Sequence, residues 1–290
     1  LMHLKTSRNW NAYIDHSNDF FNEGVVDMNG KVYVVTHKKY KLDSNLKEKG
    51  YALISVGKGK EVSNDGFNDN TGDNISSKNP NYCELTALYW IWKNDTVSQY
   101  KGLCHYRRYI TTKWLSNDME YSIDSRTIEK TLKKYDIILP QKQHFIRSAQ
   151  ENYLRCGRPK DLKNLRYIIS KKYPDYIEAY DLVMNSNSSY LMNMMITSTE
   201  CFNSYCKWLF DILFQLEQIT DLTGYSQQEA RIYGYMSERL LTVWVLKNKL
   251  KVKELPFINT EEKDGLIKRM SQVLHIYQRT KDLIYMVKSK

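Results

Sequence analysis

The segment YKGLCHYRRY, residues 100–109, decides the fold expected for this chain. Its first half is small or apolar and predicts a short buried strand. His105, Arg107 and Arg108 follow directly, and we expect such side chains where the strand leaves the sheet, because charges are rarely buried unpaired. Ligands of open α/β sheets bind beyond the carboxyl ends of the strands, so the segment predicts a site for an anion such as phosphate. The alternative is that both arginines face solvent or pair with surface carboxylates.

The composition is typical of a globular protein, and the net charge indicates an anionic partner. The chain has 290 residues, of which 42% are hydrophobic and 26% charged, which is enough for one large domain or two small ones. Five cysteines without a CxxC pair predict neither a zinc site nor a disulfide framework. No apolar run approaches 18 residues, so we expect no membrane span. The net charge of +10 is concentrated in residues 141–173 and 247–290, which indicates a nucleotide, a nucleic acid or a membrane surface as partner.

Strand and helix patterns alternate along the chain and predict an α/β fold. Strands are expected at 31–36, 51–56, 101–105, 136–139, 190–196 and 252–255. Helices are expected at 82–93, 126–134 (capped by Ser125), 201–217, 227–247 and 266–287. Neither GxGxxG nor GxxxxGK[ST] is present, which argues against ordinary NAD and ATP enzymes.

The helix predicted over 82–93 has two alternative N-terminal caps. Asn79 can cap it with Pro80 in the first position, or Asn81 and Glu84 can form a capping box. The free backbone amides at the N-terminus of this helix can bind a phosphate. The alternative interpretation is a capped helix that binds no ligand.

Several polar motifs, in this order, resemble one known family. They are THKKY at 36–40, DNIS at 73–76, KN at 78–79, YCELT at 82–86, HYRRY at 105–109 and SERLL at 237–241. Together they resemble the DUF4422 family of bacterial capsular and exopolysaccharide glycosyltransferases. The resemblance covers roughly residues 31–255.

The resemblance implies a GT-A-like (Rossmann-like) mixed sheet flanked by helices, with a helical C-terminal region. Residues 31–255 are then the glycosyltransferase domain. Because the chain opens with Leu1, we expect residues 1–30 to be an N-terminal extension, in part a product of expression or processing. The residue pattern predicts that 256–290 form a basic amphipathic helix. The implied reaction moves a hexose, galactofuranose or else galactose, from a UDP-sugar to a glycan acceptor in capsular, exopolysaccharide or lipopolysaccharide synthesis.

GT-A enzymes generally hold a divalent metal with an Asp-x-Asp motif at the end of a central strand, and this chain has His105-Tyr106-Arg107 there instead. The departing diphosphate still needs a cationic partner. We therefore expect a metal-independent, inverting reaction without a cofactor, in which Arg107 or Arg108 replaces the metal, helped by His105 and Lys78. The alternative is a metal site at Asp65, Asp69 or Asp73.

An inverting transfer also requires a general base for the acceptor hydroxyl. Glu238 is the first candidate and Glu229 the second; the alternative for Glu238 is a buried ion pair with Arg239 or Arg231. The expected acceptor-binding residues are Asn193 and Arg231. The expected donor-binding residues are Thr36, His37, Tyr40, Gly57, Asp73, Asn74, Lys78, Asn79 and Tyr106.

The expected acceptor is a lipid-linked glycan, reached from the cytoplasm with the basic C-terminal helix on the inner face of the membrane. No nucleic-acid-binding module is recognisable, so nucleic acid is not an expected partner. The alternative functions are a nucleic-acid-binding protein and a non-catalytic carbohydrate-binding protein.

Overall fold

A computed structural model describes residues 29–57, 66–114, 116 and 118–261. Its strands are β1 (Gly30–Thr36), β2 (Tyr51–Ser55), β3 (Phe67–Asn68), β4 (Tyr100–His105), β5 (Arg108–Ile110), β6 (Ile137–Pro140), β7 (Gln143–His144), β8 (Ser188–Ser189), β9 (Met195–Ser198), β10 (Val252–Leu255) and β11 (Phe257–Asn259). Its α-helices are α1 (Ser44–Glu48), α2 (Asn79–Tyr82), α3 (Leu85–Asn94), α4 (Ser125–Leu132), α5 (Ala149–Tyr153), α6 (Pro159–Lys172), α7 (Ile177–Asn185), α8 (Thr199–Ile219) and α9 (Ile232–Lys247).

One mixed sheet organises the described residues. Its strand order is β10-β6-β9-β4-β1-β2-β3, and β5 pairs with both β4 and β11. The pairs β4–β1, β1–β2, β2–β3 and β6–β10 are parallel, whereas β9 is antiparallel to both of its neighbours. The predicted α/β fold, a GT-A-like mixed sheet flanked by helices, is confirmed.

Helices cover both faces of the sheet because side chains alternate along each strand. On β1, Tyr33 and Val35 pack with residues of α3, α8 and α9 in the larger core. Val32 and Val34 point to the other face and pack with residues of α1 and α4. This two-sided burial explains the nearly continuous apolar runs of the central strands.

The predicted helix over 82–93 is interrupted. α2 ends at Tyr82, Cys83 has φ 55° and ψ −130°, and α3 begins at Leu85. Both proposed caps are wrong, because Asn79 is the first helical residue of α2 and Glu84 makes no capping bond to α3. α2 has only four residues, so the expected phosphate site at a helix N-terminus is lost as well.

Other boundaries also differ from the prediction. The strand expected at 190–196 is β9 at Met195–Ser198, because Met192 and Asn193 have φ of 78° and 53° and form a turn. α4 is capped by Asp124, whose carboxylate accepts from the Thr127 amide, and not by Ser125. α9 begins at Ile232, after a 3-10 turn at Glu229–Arg231.

The sheet extends past the predicted domain boundary at residue 255, because β11 pairs with β5. The predicted helix at 266–287 and the N-terminal extension up to residue 28 lie outside the described residues. No helix in the described part of the chain is long and apolar enough to cross a membrane.

Candidate active site

The two arginines that follow β4 have different partners. β4 ends at His105, residues 106 and 107 form the turn, and His105 pairs with Arg108 at the start of β5. Arg107 pairs with Glu261, whereas the charge of Arg108 acts on Glu238. The polar side chains near the end of β4 are therefore described as two clusters.

The outer cluster consists of Lys38, Tyr106, Arg107 and Glu261. Arg107 Nη1 lies 2.8 Å from Glu261 Oε2, and Lys38 Nζ lies 3.4 Å from Oε1. The Tyr106 hydroxyl donates to the same Oε1 at 3.3 Å. The hydrogen bond from Arg107 is the main reason that the pKa of Glu261 is lowered. Three donors that suit a phosphate thus converge on one exposed carboxylate.

Aromatic rings border the outer cluster. The His37 ring meets the Tyr106 ring edge-on at 5.5 Å between centroids, and Tyr40 lies 5.7 Å from Tyr106. Such faces suit the stacking of a base or a sugar. Thr36, by contrast, is buried, and its hydroxyl donates to the Lys38 carbonyl at 2.7 Å. The predicted contact of Thr36 with the donor is therefore not supported, because its hydroxyl stabilises the local turn.

The inner cluster consists of Glu84, His105, Asn193 and Glu238. The Asn193 amide nitrogen donates to Glu84 Oε1 at 2.7 Å. His105 Nε2 lies 2.7 Å from the Met192 carbonyl, and the Met192 amide donates to Glu238 Oε1 at 2.8 Å. The turn at 192–193 therefore binds one side chain from α3's start, one from β4 and one from α9.

Glu238 forms the ion pair that was the alternative to a catalytic role. Arg239 Nη1 lies 2.9 Å from Glu238 Oε2, and the Arg239 side chain is 3% exposed. Burial raises the pKa of Glu238; the Arg239 charge opposes this rise, and the Glu84 charge adds to it. Glu229, the second candidate base, pairs with Arg158 at 2.8 Å, which lowers its pKa to about 2. Its carboxylate is thus too weakly basic and too firmly paired for the predicted role.

His105 is neutral at pH 7. A carbonyl only accepts, so the bond to Met192 assigns the hydrogen to Nε2. Burial lowers the pKa of His105 below its usual 6.5; the Glu84 charge and the bond to Met192 oppose this shift, and the charges of Arg108 and Arg107 add to it. His105 consequently adds no positive charge for a departing diphosphate, which corrects the role expected for it.

Backbone strain is concentrated at the inner cluster. Four non-glycine residues of the described chain have positive φ, and three of them are Cys83, Met192 and Asn193. Each such conformation costs about 1–3 kcal/mol and is often found at functional sites. Gly234 of α9 permits the close approach, because a Cβ there would lie 3.2 Å from the Cys83 sulfur.

Arg231 lies beside this strained turn. Its Nε donates to the Cys83 sulfur at 3.1 Å, and its guanidinium lies 5.3 Å from the Tyr235 ring centroid. Burial raises the Cys83 pKa to about 11, so the thiol stays protonated at neutral pH. The acceptor-binding role of the exposed Arg231 and the buried Asn193 stays a prediction.

Some predicted donor residues have structural partners. Asn79 donates to the Cys83 carbonyl at 2.8 Å and lies beside Gly57, whose φ is +88°. Lys78 pairs with Glu217 at 2.6 Å. Gly57, Asn79 and Lys78 lie on the side of the sheet where the parallel strands end. The contacts described for them are with other residues of the protein.

Asp73 and Asn74 lie elsewhere. Asp73 accepts from the Tyr89 hydroxyl, and its amide bonds to Asn94 in the last turn of α3. Asn74 bonds to neighbouring backbone at Gly72. Since α3 has ten residues, this end lies about 15 Å from Glu84. Asp73 therefore contacts the middle and the end of α3, and the donor-binding role of Asp73 and Asn74 stays a prediction.

The alternative metal site gains no support among the described residues. Asp69 is fully buried, and burial raises its pKa. In residues 29–57 and 66–261, apart from 115 and 117, no three His, Cys, Asp or Glu side chains come together in a group that could hold a metal. Asp65 lies outside the described residues.

Glu84 and Arg239 were missed as site residues. In the sequence, Glu84 is part of a helix-start pattern that predicts a cap. Arg239 enters the sequence analysis only as a partner of Glu238. The long polar motifs YCELT and SERLL carry both residues and were the available signal.

Comparison with known proteins identifies the family. Residues 31–249 match the domain of unknown function DUF4422. The chain belongs to this family. Among solved structures, the DUF4422 chain is similar to the apo structure of WbbM, a bifunctional glycosyltransferase, with 31% identity and a TM-score of 0.68. The match covers 81% of this chain and 46% of WbbM, so the chain spans about half of WbbM's length.

A second structure is much less similar. The mannosyltransferase Ktr4p of S. cerevisiae matches with 10% identity and a TM-score of 0.33, covering 80% of this chain and 70% of Ktr4p. This score is too low to support an argument. No curated protein matches the chain.

Proposed function

We propose that the protein is a glycosyltransferase that moves a hexose from a UDP-sugar to a glycan acceptor. The observation that carries the proposal is the similarity to WbbM, at 31% identity over 81% of this chain. The family match over residues 31–249 includes Lys38, Tyr106 and Arg107 of the outer cluster and all four residues of the inner cluster. Galactofuranose, or else galactose, is the proposed sugar, and a lipid-linked glycan of capsular, exopolysaccharide or lipopolysaccharide synthesis is the proposed acceptor.

The outer cluster suits the donor. Arg107, Lys38 and the Tyr106 hydroxyl all point at one carboxylate, that of Glu261, and the same donors would bind the oxygens of a diphosphate. His37 and Tyr40 supply ring faces beside them. In this proposal the diphosphate of UDP displaces the Glu261 carboxylate and accepts the hydrogen bonds that Glu261 receives from Arg107, Lys38 and Tyr106.

The inner cluster suits the transfer. Arg108 carries a charge close enough to lower the pKa values of both His105 and Glu238. As the sugar leaves UDP, negative charge grows on the diphosphate, and fixed cations lower the energy of that transition state. We propose that Arg107 and Arg108 supply this charge next to the end of β4, without a requirement for a metal.

Membrane association is proposed on charge alone. Residues 247–290 contain 11 basic and 5 acidic side chains, which suits the anionic inner face of the cytoplasmic membrane. Residues 262–290 of this segment lie outside the described part of the chain.

The proposal is tested by UDP release. Purified protein is incubated with UDP-galactofuranose or UDP-galactose, with water or an octyl galactoside as acceptor, and UDP and the glycoside product are quantified. We expect UDP release from one donor, and a product heavier by one hexose. The absence of both transfer and hydrolysis above a protein-free blank would contradict the proposed function.

A further inference from the structure

We propose that Glu84, rather than Glu238, is the carboxylate that takes the proton from the acceptor hydroxyl. This inference rests on the proposed function and assigns one step of it to a residue. It follows from the different ways in which the two carboxylates of the inner cluster are bound.

Both oxygens of Glu238 are already engaged. Oε1 accepts from the Met192 amide at 2.8 Å, and Oε2 accepts from Arg239 at 2.9 Å. Arg239 is itself anchored to the Tyr235 carbonyl at 2.9 Å and to Asn152 at 2.6 Å. Withdrawing Glu238 from these bonds would leave a buried arginine without its counter-charge, which is costly. Glu238 therefore positions the turn at 192–193.

Glu84 is held differently. Among the described residues, one hydrogen bond reaches its carboxylate, from Asn193 at 2.7 Å to Oε1. The side chain is half-buried, and it makes no capping bond although Glu84 stands at the N-cap of α3. A base needs one fixed oxygen for orientation and one available to the substrate, and this arrangement provides both.

The backbone around Glu84 gives a second reason. A continuous helix from Asn79 to Asn94 would satisfy the sequence pattern, yet the chain breaks at Cys83 with φ 55°. The break points the Glu84 side chain toward Asn193 and away from its own helix. The Asn193 amide, in turn, is oriented by the Ser237 hydroxyl, which donates to Asn193 Oδ1 at 2.9 Å. Strain is thus stored on both sides of the Glu84–Asn193 bond.

The proposed step balances as follows. The acceptor oxygen forms a bond to the anomeric carbon while its proton passes to Glu84. The bond from that carbon to the diphosphate oxygen breaks, and its electron pair leaves with UDP, opposite the cationic side chains of Arg107 and Arg108. The proton on Glu84 then passes to water, which restores the carboxylate.

The test compares Glu84→Gln with Glu238→Gln and with the exposed control Glu178→Gln on α7. Glutamine at position 84 still accepts from Asn193 but cannot take a proton. We expect kcat for UDP release to fall by about 10²–10⁴ in Glu84→Gln, with the Kd for UDP within threefold of wild type. Glu178→Gln should behave as wild type, whereas Glu238→Gln should chiefly lower the Tm.

Two other results would be decisive. If wild type releases UDP and Glu84→Gln keeps kcat within threefold, Glu84 is not the base and the proposed function stands. If wild type neither transfers nor hydrolyses UDP-galactofuranose or UDP-galactose, the proposed function fails and the role of Glu84 fails with it.

Discussion

Asn193 donates a 2.7 Å hydrogen bond to the carboxylate of Glu84, a residue 109 positions earlier in the chain. This bond joins the turn before β9 to the start of α3. Asn193 is 1% exposed and also contacts Gly234 and Ser237 of α9. One buried amide therefore ties three elements together at the end of β4.

Replacing Asn193 should be costly. Asn193→Ala removes the bonds from the Asn193 amide to Glu84 and to the Gly234 carbonyl, in a left-handed conformation that asparagine tolerates better than alanine. We expect the free energy of unfolding, measured by urea denaturation, to fall by about 1–3 kcal/mol. The exposed Asn45→Ala is the control. A loss no greater than that of the control would show that the bond contributes little.

His105 should make stability fall in mild acid. Its pKa is below 6.5 in the folded state, so the unfolded state binds the proton first as the pH drops. The stability that His105 contributes is complete above pH 6.5 and is lost as the pH falls from 6.5 toward the folded-state pKa. His105→Gln should therefore lose less stability than wild type between pH 7.5 and 5.5 in urea titrations. Equal losses in the two proteins would contradict the lowered pKa.

Glu261 should compete with the donor. Its carboxylate occupies Arg107, Lys38 and the Tyr106 hydroxyl, and these contacts are lost when UDP takes them over. Because the pair is 37–42% exposed at Arg107 and Glu261, the competition is modest. We expect Glu261→Gln to tighten the Kd for UDP about two- to tenfold by calorimetry. Glu178→Gln, which removes the same charge elsewhere, is the control, and equal affinities in both variants would argue against competition.

The sequence predicts the layers of the fold well and the site less well. Apolar runs identify β1, β2, β4 and β6, because burial on both faces leaves a strong local signal. The strand around Met192 is misplaced, because a left-handed turn at Met192 and Asn193 is imposed by contacts to His105, Glu84 and Glu238 that come from distant parts of the chain. No local pattern encodes such contacts.

Contacts with distant parts of the chain also explain why the sequence does not predict the environments of Glu84 and of the two arginines. Glu84 fits a capping box in sequence, but the strain at Cys83 overrides the local preference. Arg107 and Arg108 are neighbours in sequence, and only the structure shows that Arg107 pairs with Glu261 while the charge of Arg108 acts on Glu238. His105 was expected to carry a charge, and its burial, which the sequence does not show, keeps it neutral.

The central claim is that cationic side chains at the end of β4 bind a nucleoside diphosphate without a metal. It is tested most directly by calorimetric titration of UDP into wild type and Arg107→Ala, each with and without excess EDTA. We predict that wild-type binding survives EDTA and that Arg107→Ala loses most of it under both conditions. Binding that disappears with EDTA and returns with Mg²⁺ or Mn²⁺, or binding unchanged in Arg107→Ala, would contradict the claim.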